Sequence, residues 1–160
     1  MIKANLLATL AFGYGRIGHM LSGMIAQELL SPLGLSFVNQ TLPPEYKGRL
    51  ETATVWGDEI KSDHSYDWAK GLHYINPIND FPPRQCSYRP GNDQDCPNGN
   101  CVVAAVRNYT LRLLEKDIIQ TSDRQESLLF LIHFIGDIHQ PLHATGRQRG
   151  NHQQQILTNQ

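Results

Sequence analysis

An apolar run late in the chain carries two ionisable side chains, His133 and Asp137, four positions apart. Four residues make about one turn of an α-helix, so on a helix both side chains project from one otherwise apolar face. A further histidine, His143, follows just after a proline. Imidazole and carboxylate groups at such positions are typical of metal ligands, but protein cores also contain buried His–Asp hydrogen-bonded pairs. The segment favours metal binding and leaves the buried pair as the alternative.

Composition and charge narrow the class of protein. The chain has 160 residues, of which 40% are apolar and 18% charged, which suits one folded domain with a buried core. Its formal net charge is -1, so it lacks the basic field by which many proteins attract duplex nucleic acid. An enzyme that holds phosphate through metal ions is not excluded. No apolar run is long enough to cross a bilayer, so we expect no membrane partner, and we expect a monomer.

The first residues have the features of a secretion signal. Lys3 precedes a short apolar stretch, and Ala11 and Gly13 fit the small-x-small pattern before a cleavage point. We therefore expect residues 1–13 to be a signal peptide, Tyr14 to be the mature N-terminus and the protein to be secreted. A buried first strand or helix is the alternative.

Cysteines and glycosylation sequons fit the same compartment. Cys96 and Cys101 bracket a turn-forming run and could close a small disulfide loop, which leaves Cys86 without an evident partner. Sequons begin at Asn39 and Asn108, of which we take Asn108 as the candidate glycosylation site.

The periodicity of apolar residues indicates a mainly helical, all-α chain without repeats. Ser122 and Gln125 could form a capping box at the start of the last helix. Residues 76–100 are rich in Pro, Asn, Asp and Gly and predict one long ordered loop. The polar, Gln-rich residues 146–160 are expected to be disordered. The predicted helices cover residues 17–30, 50–61, 101–119 and 122–140, and Ser31 and Pro32 are expected to end the first of them.

Three further candidate ligands lie far apart along the chain: His19, Asp58 and His73. Each has an ordinary structural explanation. His19 could be a surface residue in a first helical turn, Asp58 one charge on a solvated helix face, and His73 a hydrogen-bonded core histidine. Individually these explanations are preferred.

Taken together and in order, the motifs resemble the zinc-dependent single-strand-specific nucleases of fungi and plants. This S1/P1-type family is distantly related to bacterial zinc phospholipase C. The resemblance covers residues from Tyr14 to about His143. The matching motifs are Gly18-His19, Trp56-Gly57-Asp58-Glu59, Leu72-His73-Tyr74-Ile75, the Cys86/Cys96/Cys101 spacing with Asn108-Tyr109-Thr110, His133-Phe134-Ile135-Gly136-Asp137 and Gln140-Pro141-Leu142-His143.

The resemblance implies a helical fold that holds three zinc ions. The first would be bound by Asp58, His73, His133 and Asp137, and the second by His19, Asp137 and the α-amine and carbonyl of Tyr14. Asp137 would bridge this pair, and His143 would be one ligand of the third zinc. Asp58 and Asp137 are then the candidate catalytic residues, because Asp58 could orient or deprotonate the attacking water. Zinc pairs lower the pKa of a shared water towards roughly 7.

The same resemblance implies the substrate. Tyr74 would stack on an exposed base, which requires an unpaired strand, and Asn76 stands where the family often has a carboxylate. Without the resemblance, a core tyrosine is the alternative for Tyr74. The expected reaction is hydrolysis of single-stranded DNA or RNA to 5'-phosphate products, with 3'-nucleotidase activity alongside.

The match fails towards the C-terminus. After His143 the family continues to a further helix that carries a His and an Asp, and the family partner of Cys86 lies near its far C-terminus; neither is present here. We therefore expect a zinc nuclease-like domain over residues 14–145 that is incomplete at its C-terminus. It would have exposed apolar surface and complete ligand sets for about two zinc ions. A truncated, non-catalytic zinc-binding remnant and a phospholipase C-type phosphodiesterase are the alternatives.

Overall fold

The computed structural model describes residues 15–77, 88–91, 94–115 and 121–144. Within them it contains helices and no strand, which confirms the all-α prediction. The α-helices are α1 (Arg16–Leu29), α2 (Pro32–Thr41), α3 (Leu50–Ala53), α4 (Trp56–Glu59), α5 (Val102–Leu114) and α6 (Thr121–Ile138). The 3-10 segments are Pro44–Tyr46, Ile60–Ser62, His64–His73, Pro97–Gly99 and Pro141–Ala144.

The boundary between α1 and α2 lies at Ser31 and Pro32. The predicted stop of the first helix is confirmed, and the same two residues begin the next helix. The Ser31 hydroxyl accepts a hydrogen bond from the Gly34 backbone N–H at 3.1 Å, and Pro32 occupies the first helical turn, where its missing N–H costs nothing.

The prediction of a single helix over residues 50–61 is wrong, because the helix is interrupted at Thr54 and Val55, between α3 and α4. The Thr54 carbonyl accepts a hydrogen bond from His133 Nδ1 at 2.7 Å. The Asp58 N–H, which would meet that carbonyl in a continuous helix, instead donates to Val55 at 3.1 Å. A contact from a distant residue therefore interrupts a pattern that is locally helical.

Helix α6 lies between two apolar clusters and sets the position of the candidate ligands. Phe130 and Phe134 pack with Tyr109 of α5, with ring centroids 5.0 Å apart for the Tyr109–Phe130 pair. Leu128 and Leu129 pack with residues of α2 and α3 in the second cluster. Because α6 is buried on more than one side, the polar side chains on it are held inside the protein.

Helices α1 and α3 approach each other at a glycine. A Cβ added at Gly23 would lie 2.7 Å from the Leu50 carbonyl oxygen, so only glycine permits this spacing. Four residues later on α1, the Gln27 Oε1 accepts a hydrogen bond from the Leu50 N–H at 2.8 Å. These contacts fix the start of α3 against α1.

The last two predicted helices are present with changed bounds. α5 begins at Val102 and ends at Leu114. α6 begins at Thr121, so Ser122 lies inside the helix and is not its N-cap. Cys96 and Cys101 form a disulfide. Cys86, Tyr14, the predicted signal peptide and the predicted tail over 146–160 lie outside the described residues, as does part of the predicted loop.

One face of α1 is apolar and exposed. Ile17, Leu21, Ile25 and Leu29 follow one another at four-residue spacing, and their exposed fractions range from 51% to 80%. Among the described residues, no helix is both long and apolar enough to span a membrane.

Candidate metal centre

Separate elements deliver imidazole and carboxylate groups to one small volume. α1, α4, the 3-10 segment His64–His73 and α6 contribute them. Their ligand atoms form two overlapping sets, each with members within 4.8 Å of one another: His19, His133 and Asp137, and Asp58, His73 and His133. The structure thus brings together five residues that the sequence motifs single out.

His133 belongs to both sets. Its Nδ1 lies 2.7 Å from the Thr54 carbonyl, which can only accept, so Nδ1 carries the proton. Nε2 faces the other candidate ligands, 3.2 Å from Asp137 Oδ2 and 3.1 Å from His73 Nδ1, and in the neutral ring it carries the lone pair. This is the tautomer in which His133 can bind a cation through Nε2.

His73 is buried beside Asp137. Its Nδ1 lies 2.8 Å from Asp137 Oδ2. Burial lowers the pKa of His73 to about 4, although its hydrogen bond with Asp137 acts in the opposite direction. The ring is therefore neutral at neutral pH, which is the form that binds metals.

The two carboxylates differ in their surroundings. Burial alone would raise the pKa of Asp137, but its contacts with the imidazoles of His133, His19 and His73 outweigh burial and hold the pKa well below its usual range. Burial also acts to raise the pKa of Asp58. The nearby His133 and Lys61 outweigh this effect, so the pKa of Asp58 is lowered as well. Lys61 Nζ lies 2.5 Å from Asp58 Oδ1. Both carboxylates are therefore ionised at neutral pH, Asp137 in the interior and Asp58 partly exposed.

Two glycines make room for the two stacked histidines. A Cβ at Gly57 would lie 2.5 Å from His133 Cγ, and one at Gly136 would lie 2.9 Å from His19 Nδ1. The rings of His19 and His133 stack with their centroids 3.9 Å apart. Each glycine directly precedes an aspartate of the site, so the backbone that carries each aspartate can lie against an imidazole.

The donor set fits zinc. Zinc in proteins is bound by imidazole nitrogens and carboxylate oxygens, and both kinds converge here. Asp137 Oδ1 is fully buried and, within the described residues, receives no well-formed hydrogen bond. Its nearest nitrogens are His19 Nε2 and His143 Nδ1, both at 3.3 Å. A buried anionic oxygen in this state is suited to a cation.

Comparison with known proteins assigns the chain to a family. Residues 14–160 match the family described as S1/P1 Nuclease. The chain belongs to the S1/P1 nuclease family. Endonuclease 2 of Arabidopsis thaliana is 39% identical over 140 residues, which are 83% of this chain and 46% of that protein. Nuclease S1 of Aspergillus oryzae (strain ATCC 42149 / RIB 40) is 34% identical over 144 residues, which are 90% of this chain and 48% of that protein.

The match has a limited extent. Nuclease P1 of Penicillium citrinum is 32% identical over 130 residues, which are 81% of this chain and 47% of that protein. The chain spans about half the length of the curated relatives it matches. The all-α fold is consistent with membership of this family.

His143 lies at the edge of the centre. Its Nδ1 donates to the His73 carbonyl at 2.7 Å, which leaves Nε2 as the nitrogen with a lone pair. His143 belongs to neither of the two ligand sets found among the described residues. His139 lies on the exposed side of the helix end, where Nδ1 donates to the Ile135 carbonyl at 2.6 Å.

The predicted substrate residues follow His73 directly. Two backbone hydrogen bonds hold the extended stretch 74–76 in place. The Tyr74 carbonyl accepts from the Val102 N–H at 3.1 Å, and the Ile75 N–H donates to the His143 carbonyl at 2.8 Å. Tyr74 and Asn76 are both half-buried. The stretch thus lies between the start of α5 and the 3-10 segment that carries His143.

Four residues of the site were not among the sequence predictions: Thr54, Gly57, Lys61 and Gly136. The glycines did leave a signal, because each of the two aspartate motifs reads Gly-Asp. Lys61 follows Asp58 at a spacing that permits an ion pair on one helical face. Nothing in the local sequence marks Thr54.

Proposed function

We propose that this chain forms the zinc-binding part of an endonuclease that hydrolyses phosphodiester bonds of single-stranded DNA and RNA. The expected products carry 5'-phosphates, and 3'-nucleotidase activity is part of the proposal. The observation that carries it is the convergence of His19, Asp58, His73, His133 and Asp137 in a chain of the S1/P1 nuclease family.

We assign the two ligand sets to two zinc ions. Asp58, His73 and His133 would hold one, and His19 with Asp137 the other, with Asp137 also close to the first set. The sequence prediction adds Tyr14 to the second set. Zinc, when bound, supplies the positive charge that lets water attack a phosphodiester at neutral pH.

The residues of this chain would orient the reactants. Asp58 is the partly exposed carboxylate of the centre, so it can accept a hydrogen bond from an attacking water, while Lys61 holds it in place. Asp137 is fully buried and would bridge the cations without reaching the substrate. His143 would be one ligand of a third zinc ion, which would supply positive charge to the leaving oxygen.

Tyr74 and Asn76 are the proposed substrate-binding residues. An aromatic ring directly after ligand His73 can stack on a base, and stacking requires an unpaired base. The Asn76 Oδ1 is buried and has no hydrogen-bond partner among the described residues, so it could accept one from a base edge.

The test compares cleavage of single-stranded and duplex DNA by zinc-loaded protein, with and without a chelator. We expect faster cleavage of the single strand, loss with chelator, and a fall of at least about 100-fold in Asp58→Asn. Asp67→Asn is the matched control, since Asp67 is an exposed carboxylate paired with Lys70 outside the centre.

One alternative has an observation in its favour. Because His143 stands outside both ligand sets, the chain could bind zinc without completing a third site. Zinc binding without any cleavage would support this non-catalytic alternative. Hydrolysis of a choline phospholipid without cleavage of single-stranded DNA would instead support a phospholipase C-type activity.

Secretion and glycosylation complete the proposal. Asn108 and its sequon residue Thr110 are both exposed on α5. At the other sequon Thr41 is buried, and Asn39 lies so close to Gly48 that a Cβ there would meet Asn39 Oδ1. We therefore place the glycan on Asn108, which mass spectrometry of secreted protein would test.

A further inference from the structure

Thr54 contacts two candidate ligands through two different groups. Its side chain is buried, with 1% of the residue exposed. The hydroxyl lies 2.8 Å from the His19 carbonyl oxygen and 3.1 Å from the Glu51 carbonyl oxygen, and its one proton is directed at the nearer His19. The backbone carbonyl accepts from His133 Nδ1 at 2.7 Å. One residue thus holds the backbone of one ligand and the imidazole of another.

One contact depends on a close approach between two helices, and the other on the interruption between α3 and α4. The close approach of α1 and α3 at Gly23 brings the His19 carbonyl within reach of the Thr54 hydroxyl. The break after α3 leaves the Thr54 carbonyl available, because the Asp58 N–H donates to Val55. A continuous helix would have used that carbonyl internally.

We propose that Thr54 is a positioning residue of the metal centre, an inference that rests on the proposed zinc function. Its carbonyl sets the proton of His133 on Nδ1 and so directs Nε2 at the cation. Its hydroxyl adds a contact from the centre to the His19 backbone, beside the Gly23 and Gln27 contacts that hold α1 against α3. This contact helps to set where His19 Nε2 lies relative to Asp137 Oδ1, 3.3 Å away.

A residue that only stabilised the core would act differently. Loss of its hydroxyl would lower the stability of the metal-free protein and leave the zinc affinity of the folded fraction unchanged. A positioning residue changes the affinity of the His19-containing set and its geometry. The two roles are therefore separable by measurements on folded protein.

The experiment compares Thr54→Val, which removes the hydroxyl, with Thr54→Ser, which keeps it. Thr52→Val is the matched control, because among the described residues the Thr52 hydroxyl donates to the nearby Arg49 carbonyl at 3.2 Å and to no candidate ligand. Zinc affinity is measured by competition with a chromophoric chelator, geometry by the absorption spectrum of cobalt-substituted protein, and folding by circular dichroism without metal.

We expect Thr54→Val to bind one of two zinc equivalents about 10- to 100-fold more weakly and to change the cobalt spectrum. We expect Thr54→Ser and Thr52→Val to match the unmodified protein within about threefold. Unchanged binding in folded Thr54→Val overturns the inference, as does equal weakening in Thr54→Ser or in Thr52→Val. If the unmodified protein binds no zinc, the proposed function itself fails.

A second measurement does not depend on the folding of a variant. Nitrogen-15 spectra of the unmodified, metal-free protein report which nitrogen of His133 carries the proton. We expect Nδ1 to carry a proton, because the Thr54 carbonyl can only accept. A ring protonated on Nε2 and not on Nδ1 would contradict the role of the Thr54 carbonyl even if the protein binds zinc.

Discussion

The imidazole rings of His19 and His133 lie face to face, with centroids 3.9 Å apart and planes inclined by 17°. One ring comes from α1 and the other from α6, so this stack joins the two ends of the described chain. His133 is the member common to both ligand sets, whereas His19 belongs to one. The two histidines should therefore contribute unequally to metal binding.

Replacing these histidines singly should give different zinc contents. We expect His19→Ala to keep about one zinc ion, because Asp58, His73 and His133 remain, and His133→Ala to keep none. Elemental analysis of folded protein measures this. His64→Ala is the control, since the His64 side chain is 93% exposed. Equal zinc loss in both variants would contradict the assignment of two sets.

Adding one methyl group at Gly57 or Gly136 should displace the imidazole that packs against that glycine. The new Cβ would overlap His133 or His19, which we expect to lower the free energy of unfolding by about 1–3 kcal/mol and to weaken zinc binding. Urea denaturation and zinc titration measure the two effects. Gly15→Ala provides the control, because nothing lies within 4 Å of its added Cβ. A Gly57→Ala protein with normal zinc affinity would contradict the close contact.

Breaking the Cys96–Cys101 disulfide should reduce stability moderately. The disulfide closes a short loop just before α5, with a sequence separation of 5. The loop-closure entropy of the unfolded chain therefore predicts that the double Cys→Ala variant loses about 2 kcal/mol of unfolding free energy. Urea midpoints measure it. A reducing agent should shift the unmodified protein towards the variant and leave the variant unchanged. A loss much above this would show that the loop contributes packing as well.

Alkaline pH should destabilise the protein partly through Tyr66. Burial and the hydrogen bond to Glu126 raise the pKa of Tyr66 to about 12. The unfolded chain loses this proton near pH 10, so the free energy of unfolding should fall between about pH 10 and pH 12. In Tyr66→Phe that fall should be shallower, although Tyr109, whose pKa burial also raises, still contributes. Urea midpoints over this range measure it, and an unchanged pH dependence would contradict the assignment.

The local part of the site could be predicted from the sequence. Helical geometry alone places His133 and Asp137 on one face, and both are fully buried, as an apolar run requires. The disulfide loop and the helix boundary at Ser31 and Pro32 followed from equally local rules. These features depend on residues that are close in sequence.

The remainder depends on contacts between distant residues. His19, Asp58 and His73 each had an ordinary explanation, and only the family resemblance brought them into one site. The break at Thr54 was not predictable from the helical pattern, because the competing donor is the imidazole of His133. Cleavage before Tyr14, the substrate roles of Tyr74 and Asn76 and glycosylation stay predictions.

The stretch from Tyr74 to Asn76 is joined to its neighbours by backbone groups at Tyr74 and Ile75. Every residue except proline offers the same N–H and C=O, so these contacts do not depend on the side chains at positions 74 and 76. His133 and Asp137 on α6 have no such freedom, because both are fully buried and the helix packs against two apolar clusters. The side chains at positions 74 and 76 can therefore change while these backbone contacts keep the stretch beside the candidate metal centre.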